Sequence, residues 1–172
     1  MQFLAELMIY NARIDCVPSA QRSCPMGKRI DFLDLLLYNK FDVIVVTKKE
    51  FYSNWFVNFA SDIPKKDIDK YVVSTGNYIW HIFSWGLLDE SSFLVGDEAR
   101  KAYNKIDKSD AYYIEWFKDD CSKKLPQNFY TAEALDDLIE VYVTGKNFKW
   151  AYIKPHENDL CGPYFIKKKE SF

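Results

Sequence analysis

Residues 76–106 read GNYIWHIFSWGLLDESSFLVGDEARKAYNKI, and this stretch decides the fold that the sequence predicts. Its first part, residues 78–85, contains no glycine, proline or charged side chain, which predicts a buried element. The short length and the aromatic content favour a strand, with His81 on a face shared by apolar side chains. The alternative is a helix whose apolar stripe begins at Tyr78.

A helix and a second strand follow this first element. Ala99, Tyr103 and Ile106 recur at helical spacing after Gly96. Acidic residues precede basic residues in this helix, which complements the helix dipole. Residues 111–117 are aromatic and β-branched and predict a strand, so the three elements form a strand–helix–strand unit that crosses over in a sheet.

Two further patterns in the sequence have specific structural signals. Thr47 and Glu50 form a capping box at the start of a helix that runs to about Ala60. Residues 140–144 and 148–154 predict a β-hairpin that places Phe148, Trp150 and Tyr152 on one face. The other predicted elements are a helix at 30–38, a buried strand at 42–47, a short helix after Pro64, a charged loop at 118–126, a helix capped by Thr131 and an edge strand at 163–166.

The predicted fold is a single α+β domain at residues 28–172. We expect a mixed or antiparallel sheet of about five strands, with helices mainly on one side. Residues 1–27 read as an N-terminal appendage that the fold does not need, and Met26 is an alternative start.

Composition excludes several classes of protein. The chain has 48% hydrophobic and 17% aromatic residues, with 23 basic against 25 acidic residues, which argues against a disordered chain. A pI near 5.7 argues against a general nucleic-acid binder. No apolar run reaches about 18 residues, and the first residues lack the basic region of a secretory signal. We therefore expect a cytoplasmic protein that does not insert into membranes.

The four cysteines predict reduced thiols. Cys16, Cys24, Cys121 and Cys161 are widely spaced and contain no C-x-x-C pair. This spacing fits structural thiols in a reducing compartment. We expect no cofactor and no bound metal.

Three motifs carry a resemblance to a known family. They are Trp80–Trp85 (WHIFSW), Gly96–Arg100 (GDEAR), and His156-Glu157 with Gly162–Phe165 (GPYF). Their order and spacing resemble the bacterial family called domain of unknown function 4275, over roughly residues 30–166. The resemblance implies a small cytoplasmic α+β protein and implies no activity.

The only two histidines are the first candidates for chemistry, because histidine is the usual general base and a common metal ligand. His156 stands in a loop with Glu157 and Cys161, although turn residues around it also fit a purely structural turn. His81 fits a core histidine. A Cys161–histidine nucleophile pair and a zinc site of His81, His156 and Cys161 are two weaker alternatives.

The last prediction from the sequence concerns the position of the two histidines. We expect the His81 and His156 regions to approach each other at one end of the sheet. His156→Ala is then expected to leave stability nearly unchanged.

The aromatic excess has two interpretations. Aromatic side chains fill cores, and tryptophan and tyrosine are also enriched in protein interfaces. The candidate binding residues are Trp80, Trp85, Trp116, Trp150 and Tyr152.

Taken together, these patterns favour a non-catalytic protein-binding module, similar to an immunity or regulatory protein, with an unidentified protein partner. The alternative is a small hydrolase or metal-assisted enzyme that uses a His/Glu/Cys cluster.

Overall fold

The computed structural model describes residues 46–168 of the chain. Its strands are β1 (Phe93–Val95), β2 (Tyr112–Glu115), β3 (Lys123–Lys124), β4 (Val141–Thr144), β5 (Trp150–Lys154) and β6 (Tyr164–Lys167). Its helices are α1 (Lys48–Phe59), α2 (Lys65–Tyr71), α3 (His81–Ser84) and α4 (Asp97–Lys105). Short 3-10 segments are Val73–Thr75, Glu90–Ser92, Gln127–Phe129, Glu133–Leu135 and Lys146–Phe148.

The strands form one open antiparallel sheet in the order β1-β6-β5-β4-β2-β3. Successive side chains alternate between its faces, so the sheet separates two cores. Tyr142 and Ile153 face the core that contains α1, α2 and α3. Val143 and Tyr152 face the second core, which α4 covers. The prediction of a single α+β domain is confirmed, and the sheet has one more strand than expected.

The start of α1 follows the sequence signal closely. The Glu50 amide donates to Thr47 Oγ1 over 3.2 Å, and the Thr47 amide donates to Glu50 Oε2 over 2.9 Å. Phe51, Trp55 and Phe59 then recur every four residues and are all buried. The capping box and the helix after it are confirmed.

Residues 78–85 do not form the predicted strand. The Trp85 amide donates to the His81 carbonyl over 2.9 Å, so the backbone hydrogen bonds here are local and helical. Ile79, Ile82 and Phe83 are buried at helical spacing, whereas Trp85 is exposed. Packing of this apolar stripe outweighs the strand preference of the aromatic residues. The strand of this region is β1, which begins eight residues after Trp85.

Three smaller predictions also need correction. The segment 163–166 forms β6, but β6 is not at an edge, because it lies between β1 and β5. Phe148 does not share a face with Trp150 and Tyr152, because it precedes β5 with φ 53° and packs against Phe51 in the first core. The helix capped by Thr131 is reduced to a 3-10 segment, and the loop at 118–126 contains β3.

Several predictions lie wholly or partly outside the described residues. These are the appendage at 1–27, the alternative start at Met26, the helix at 30–38, most of the strand at 42–47, and Cys16 and Cys24.

The prediction of reduced thiols is wrong for Cys121, which is disulfide-bonded, and right for Cys161. Sequence spacing failed here because cysteine pairing depends on distance in the fold. Between residues 46 and 168, no helix has the length and apolar character needed to cross a membrane.

Candidate functional site

A buried carboxylate holds His156 at one end of the sheet. The side chain of Glu140 is fully buried, and its Oε2 atom lies 2.5 Å from Nδ1 of His156. The hydroxyl of Tyr142 donates to the other oxygen, Oε1. Because each carboxylate oxygen accepts a hydrogen bond, the burial of this charge is compensated. The carboxylate can only accept, so Nδ1 of His156 donates its proton.

The register of the hairpin brings these two residues together. Val141 at the start of β4 pairs with Lys154 at the end of β5. Glu140 immediately precedes β4 and His156 follows β5 by two residues, so both lie at the same end of the hairpin. Sequence reasoning missed Glu140. The signal that could have found it is its spacing of two from Tyr142, which puts both side chains on one face of the strand.

His81 is the first residue of α3, and its ring is tied to the backbone. Its Nδ1 atom lies 3.2 Å from the Tyr71 carbonyl oxygen and 2.6 Å from Thr75 Oγ1. Because a carbonyl oxygen only accepts, Nδ1 carries the proton. Burial lowers the pKa of His81 below its ordinary value of 6.5, so the ring is neutral at pH 7.

The two histidines approach each other across a shared pair of aromatic rings, as the sequence predicted. The ring of Trp80 lies 4.1 Å from the His81 ring and 5.5 Å from the His156 ring, measured between centroids. The ring of Tyr78 lies 5.5 Å from His81 and 4.9 Å from His156. The histidines are therefore coupled by packing, on the α1–α3 side of the sheet.

Two large, exposed side chains lie beside this cluster, Phe117 through ring contacts and Trp85 through Tyr71, whose carbonyl oxygen is bonded to His81. Trp85 is 57% exposed and its ring lies 5.5 Å from that of Tyr71. Phe117 is 52% exposed, and its ring lies 6.1 Å from Tyr78 and 5.6 Å from His156. We call the set formed by Tyr71, Tyr78, His81, Trp85, Phe117 and His156 the aromatic surface.

Of the five aromatic residues proposed from the sequence for binding, only Trp85 presents most of its side chain to solvent. The other four, Trp80, Trp116, Trp150 and Tyr152, are buried in the two cores. Phe117 was missed, although it stands two residues beyond the last residue of β2, where the sheet no longer covers the side chain.

The contacts of Glu157 and Cys161 differ from the Cys161–histidine pair and the zinc site considered from the sequence. The thiol of Cys161 donates to the Glu157 carbonyl over 3.7 Å, and burial raises the pKa of this thiol. Glu157 Oε1 lies 4.0 Å from His156 Nε2. Within the described residues, no group of three or more His, Cys, Asp or Glu side chains is arranged to hold a metal ion. The zinc set of His81, His156 and Cys161 is therefore not assembled.

On the α4 side of the sheet, His156 also borders an open cleft of about 660 Å³. Arg100 of α4 makes two hydrogen bonds to Asp136 across one wall, at 2.9 and 2.7 Å. The side chain of Lys154 contributes to the cleft beside this ion pair. The remaining lining residues are Gly96, Asp97, Asn158, Asp159, Gly162 and Pro163.

Comparison with known proteins identifies the family and goes no further. Neither a curated protein nor a solved structure matches the chain. The sequence model of one family, described as "Domain of unknown function (DUF4275)", matches residues 31–165. This match includes both histidines, Glu140, the aromatic surface and the residues that line the cleft. It also confirms the resemblance drawn from the three motifs, and the chain therefore belongs to the DUF4275 family.

Proposed function

We propose that the protein is a non-catalytic protein-binding module whose contact region is the aromatic surface. The observation that carries this proposal is the exposure of Trp85 and Phe117 beside the two histidines. Trp85 packs against Tyr71, whose carbonyl oxygen is bonded to His81, and Phe117 packs against Tyr78 and His156. Exposed aromatic side chains add nothing to the core, and aromatic residues dominate the binding energy of protein interfaces.

The rings beneath the exposed side chains support this proposal because they are already held in place. His81 is bonded to the Tyr71 carbonyl, and His156 is bonded to Glu140. A surface that is ordered before binding loses less conformational entropy when the complex forms. The neutral His81 ring also places no charge in the middle of the contact region.

Lys70, beside Tyr71 at the edge of the aromatic surface, adds a positive charge that indicates the chemistry of the partner. The Lys70 ammonium donates to the Tyr71 hydroxyl over 2.9 Å and lies 4.5 Å from the centre of that ring. The hydrogen bond to Tyr71 raises the pKa of Lys70, which therefore stays charged at neutral pH. The partner that fits is a protein with an apolar patch and an acidic residue at its edge.

Site-specific photocrosslinking in the native cells tests this proposal. A photoreactive phenylalanine analogue replaces Trp85 in one version and Phe117 in another. Both versions are expected to crosslink to the same protein. The matched control places the analogue at Val57, an exposed apolar position on α1, and should not give that adduct. Absence of a shared adduct, or the same adduct from Val57, contradicts the proposal.

A second candidate, the small enzyme, is favoured by one observation. The carboxylate of Glu140 orients His156 beside a cleft, which is an arrangement that suits a general base. The thiol of Cys161 donates to the Glu157 carbonyl, so this candidate rests on Glu140 and His156. The enzyme would be favoured if the protein turned over a substrate, if Glu140→Gln abolished that turnover, and if Trp85→Ala left it intact.

A further inference from the structure

Strand β1 forms an open edge of the sheet. In the part of the chain that the structure describes, β1 pairs with β6 on one side and with no strand on the other. Just beyond β1, the Gly96 amide donates to the Pro163 carbonyl, which follows the same ladder, over 2.8 Å. Backbone groups alternate in direction along an antiparallel strand, so those of Phe93 and Val95 point away from β6. This edge therefore offers backbone donors and acceptors to another strand.

The two edges of the sheet carry different side chains. At the opposite edge, β3 consists of two lysines, and Thr47 forms a bridge to Cys121 directly before it. Charged edge strands and covering segments prevent pairing with other chains. Strand β1 is entirely apolar instead, with Leu94 38% and Val95 51% exposed. An exposed apolar edge of this kind is typical of a docking site.

Acidic side chains flank β1 at both ends. Glu90 lies three residues before the strand, and Asp97 and Glu98 lie two and three residues after it. All three side chains are exposed. A strand that pairs with β1 therefore meets negative charge at both of its ends, which favours lysine or arginine there.

The basic side chains near β1 lie farther from its open side. Lys167 is on β6, so it lies on the paired side of β1. Arg100 makes two hydrogen bonds to Asp136, at 2.9 and 2.7 Å. Lys101 lies one turn further into α4 than the acidic residues that begin this helix. The residues that directly flank the open edge are therefore acidic.

We propose that the open edge of β1 binds an extended segment of a partner protein in which apolar residues stand between basic ones. The incoming segment adds a strand to the sheet through about four backbone hydrogen bonds to Phe93 and Val95. Its apolar side chains cover Leu94 and Val95. Its basic side chains meet Glu90 at one end and Asp97 at the other. A second copy of β1 fits less well, because antiparallel pairing places Glu90 of one copy beside Asp97 of the other.

Peptide binding to the full-length protein tests this edge. The probe is the peptide KKVTVTKK, capped at both ends. One control peptide is EEVTVTEE, and the other is KKVTVTKK with every central amide N-methylated, which keeps the charge and removes the backbone donors. The probe is expected to bind saturably, at least about tenfold more tightly than either control, because binding needs both charge and backbone pairing. Equal affinity for the probe and its N-methylated form shows charge attraction alone and overturns the proposal.

Protein variants locate the bound peptide. Val95→Pro removes one outward amide, a change that edge strands tolerate, and should weaken probe binding by about tenfold or more. The double variant Glu90→Gln with Asp97→Asn should weaken binding of KKVTVTKK and strengthen binding of EEVTVTEE. Asp110→Asn is the matched control, since this exposed acid precedes β2, which three strands separate from β1. It should bind as the wild type does. Unchanged affinity in the double variant overturns the proposal, whether or not Val95→Pro folds.

Amide hydrogen exchange and sedimentation distinguish the other occupants of this edge. The amides of Phe93 and Val95 are expected to exchange fast in the free protein and slowly with the probe bound. Slow exchange in the free monomer shows that another part of the chain already pairs with β1, which overturns the proposal. A wild-type dimer that Val95→Pro converts into a monomer assigns the edge to a second copy and also overturns it.

Discussion

The imidazole of His156 is hydrogen-bonded to the fully buried carboxylate of Glu140, with His156 Nδ1 2.5 Å from Glu140 Oε2. This contact joins three parts of the protein. Glu140 is hydrogen-bonded to Tyr142 of the first core, while His156 belongs to the aromatic surface, where it contacts Tyr78, and borders the cleft. A change at either residue is therefore expected to alter both stability and the aromatic surface.

His156→Ala is expected to lower the free energy of unfolding by about 3–5 kcal/mol, because the buried Glu140 charge loses one of its two hydrogen-bond donors. Glu140→Gln is expected to cost less, about 1–3 kcal/mol, since no buried charge remains. Urea unfolding followed by fluorescence measures both.

The double variant provides the control for this explanation. In the Glu140→Gln background, His156→Ala should cost clearly less than it does in the wild type. If His156→Ala lowers the free energy of unfolding equally in both backgrounds, the two residues are not coupled in the way described.

Trp85→Ala is expected to change the free energy of unfolding by less than about 0.5 kcal/mol, because the side chain is 57% exposed. Trp116→Ala is the contrasting variant, since Trp116 is buried against Tyr142 with ring centroids 5.1 Å apart. It should cost about 3–5 kcal/mol. Equal costs for the two variants, measured by denaturant titration, would show that Trp85 belongs to the core.

The stability of the protein is expected to fall as pH decreases below 6.5, in part because of His81. Burial lowers the pKa of His81 in the folded state, so the unfolded chain takes up the proton first. The contribution of His81 is complete above about pH 6.5. It decreases as pH falls and levels off below the folded-state pKa. Glu140, Glu157 and His156 are the titratable groups that act on this ring.

His81→Gln should remove this part of the pH dependence, since glutamine does not titrate and its amide can still donate to the Tyr71 carbonyl. The difference in free energy of unfolding between wild type and variant, measured from pH 7.5 to 5, gives the contribution directly. An NMR titration of the His81 ring with a midpoint above 6.5 would falsify the assignment.

The elements with local signals were predictable from the sequence. The capping box of Thr47 and Glu50, the spacing in α4 and the alternation in the hairpin each depend on neighbours along the chain. The segment at 78–85 failed because strand and helix patterns both fit a short apolar run. Packing of Ile79 and Ile82 against the sheet decided between them, and the sequence does not state that packing.

The candidate site was predictable in part for the same reason. The hairpin signal located His156 correctly, and the approach of the two histidines followed from it. Glu140 was missed because its burial depends on the pairing of β4 with β5 and on the return of the chain after Pro155. The geometry does not support the expectation that His156→Ala leaves stability unchanged, because His156 is a hydrogen-bond partner of the buried Glu140 carboxylate.

The measurement that tests the binding proposal most directly is the affinity of the protein for the partner found by crosslinking. Isothermal titration compares the wild type with Trp85→Ala, Phe117→Ala and the control Val57→Ala. Each aromatic variant is expected to weaken binding by about thirtyfold, which corresponds to the roughly 2 kcal/mol of a hot-spot residue, and Val57→Ala should bind as the wild type does. If the folded double variant of Trp85 and Phe117 binds with wild-type affinity, the aromatic surface is not the binding site.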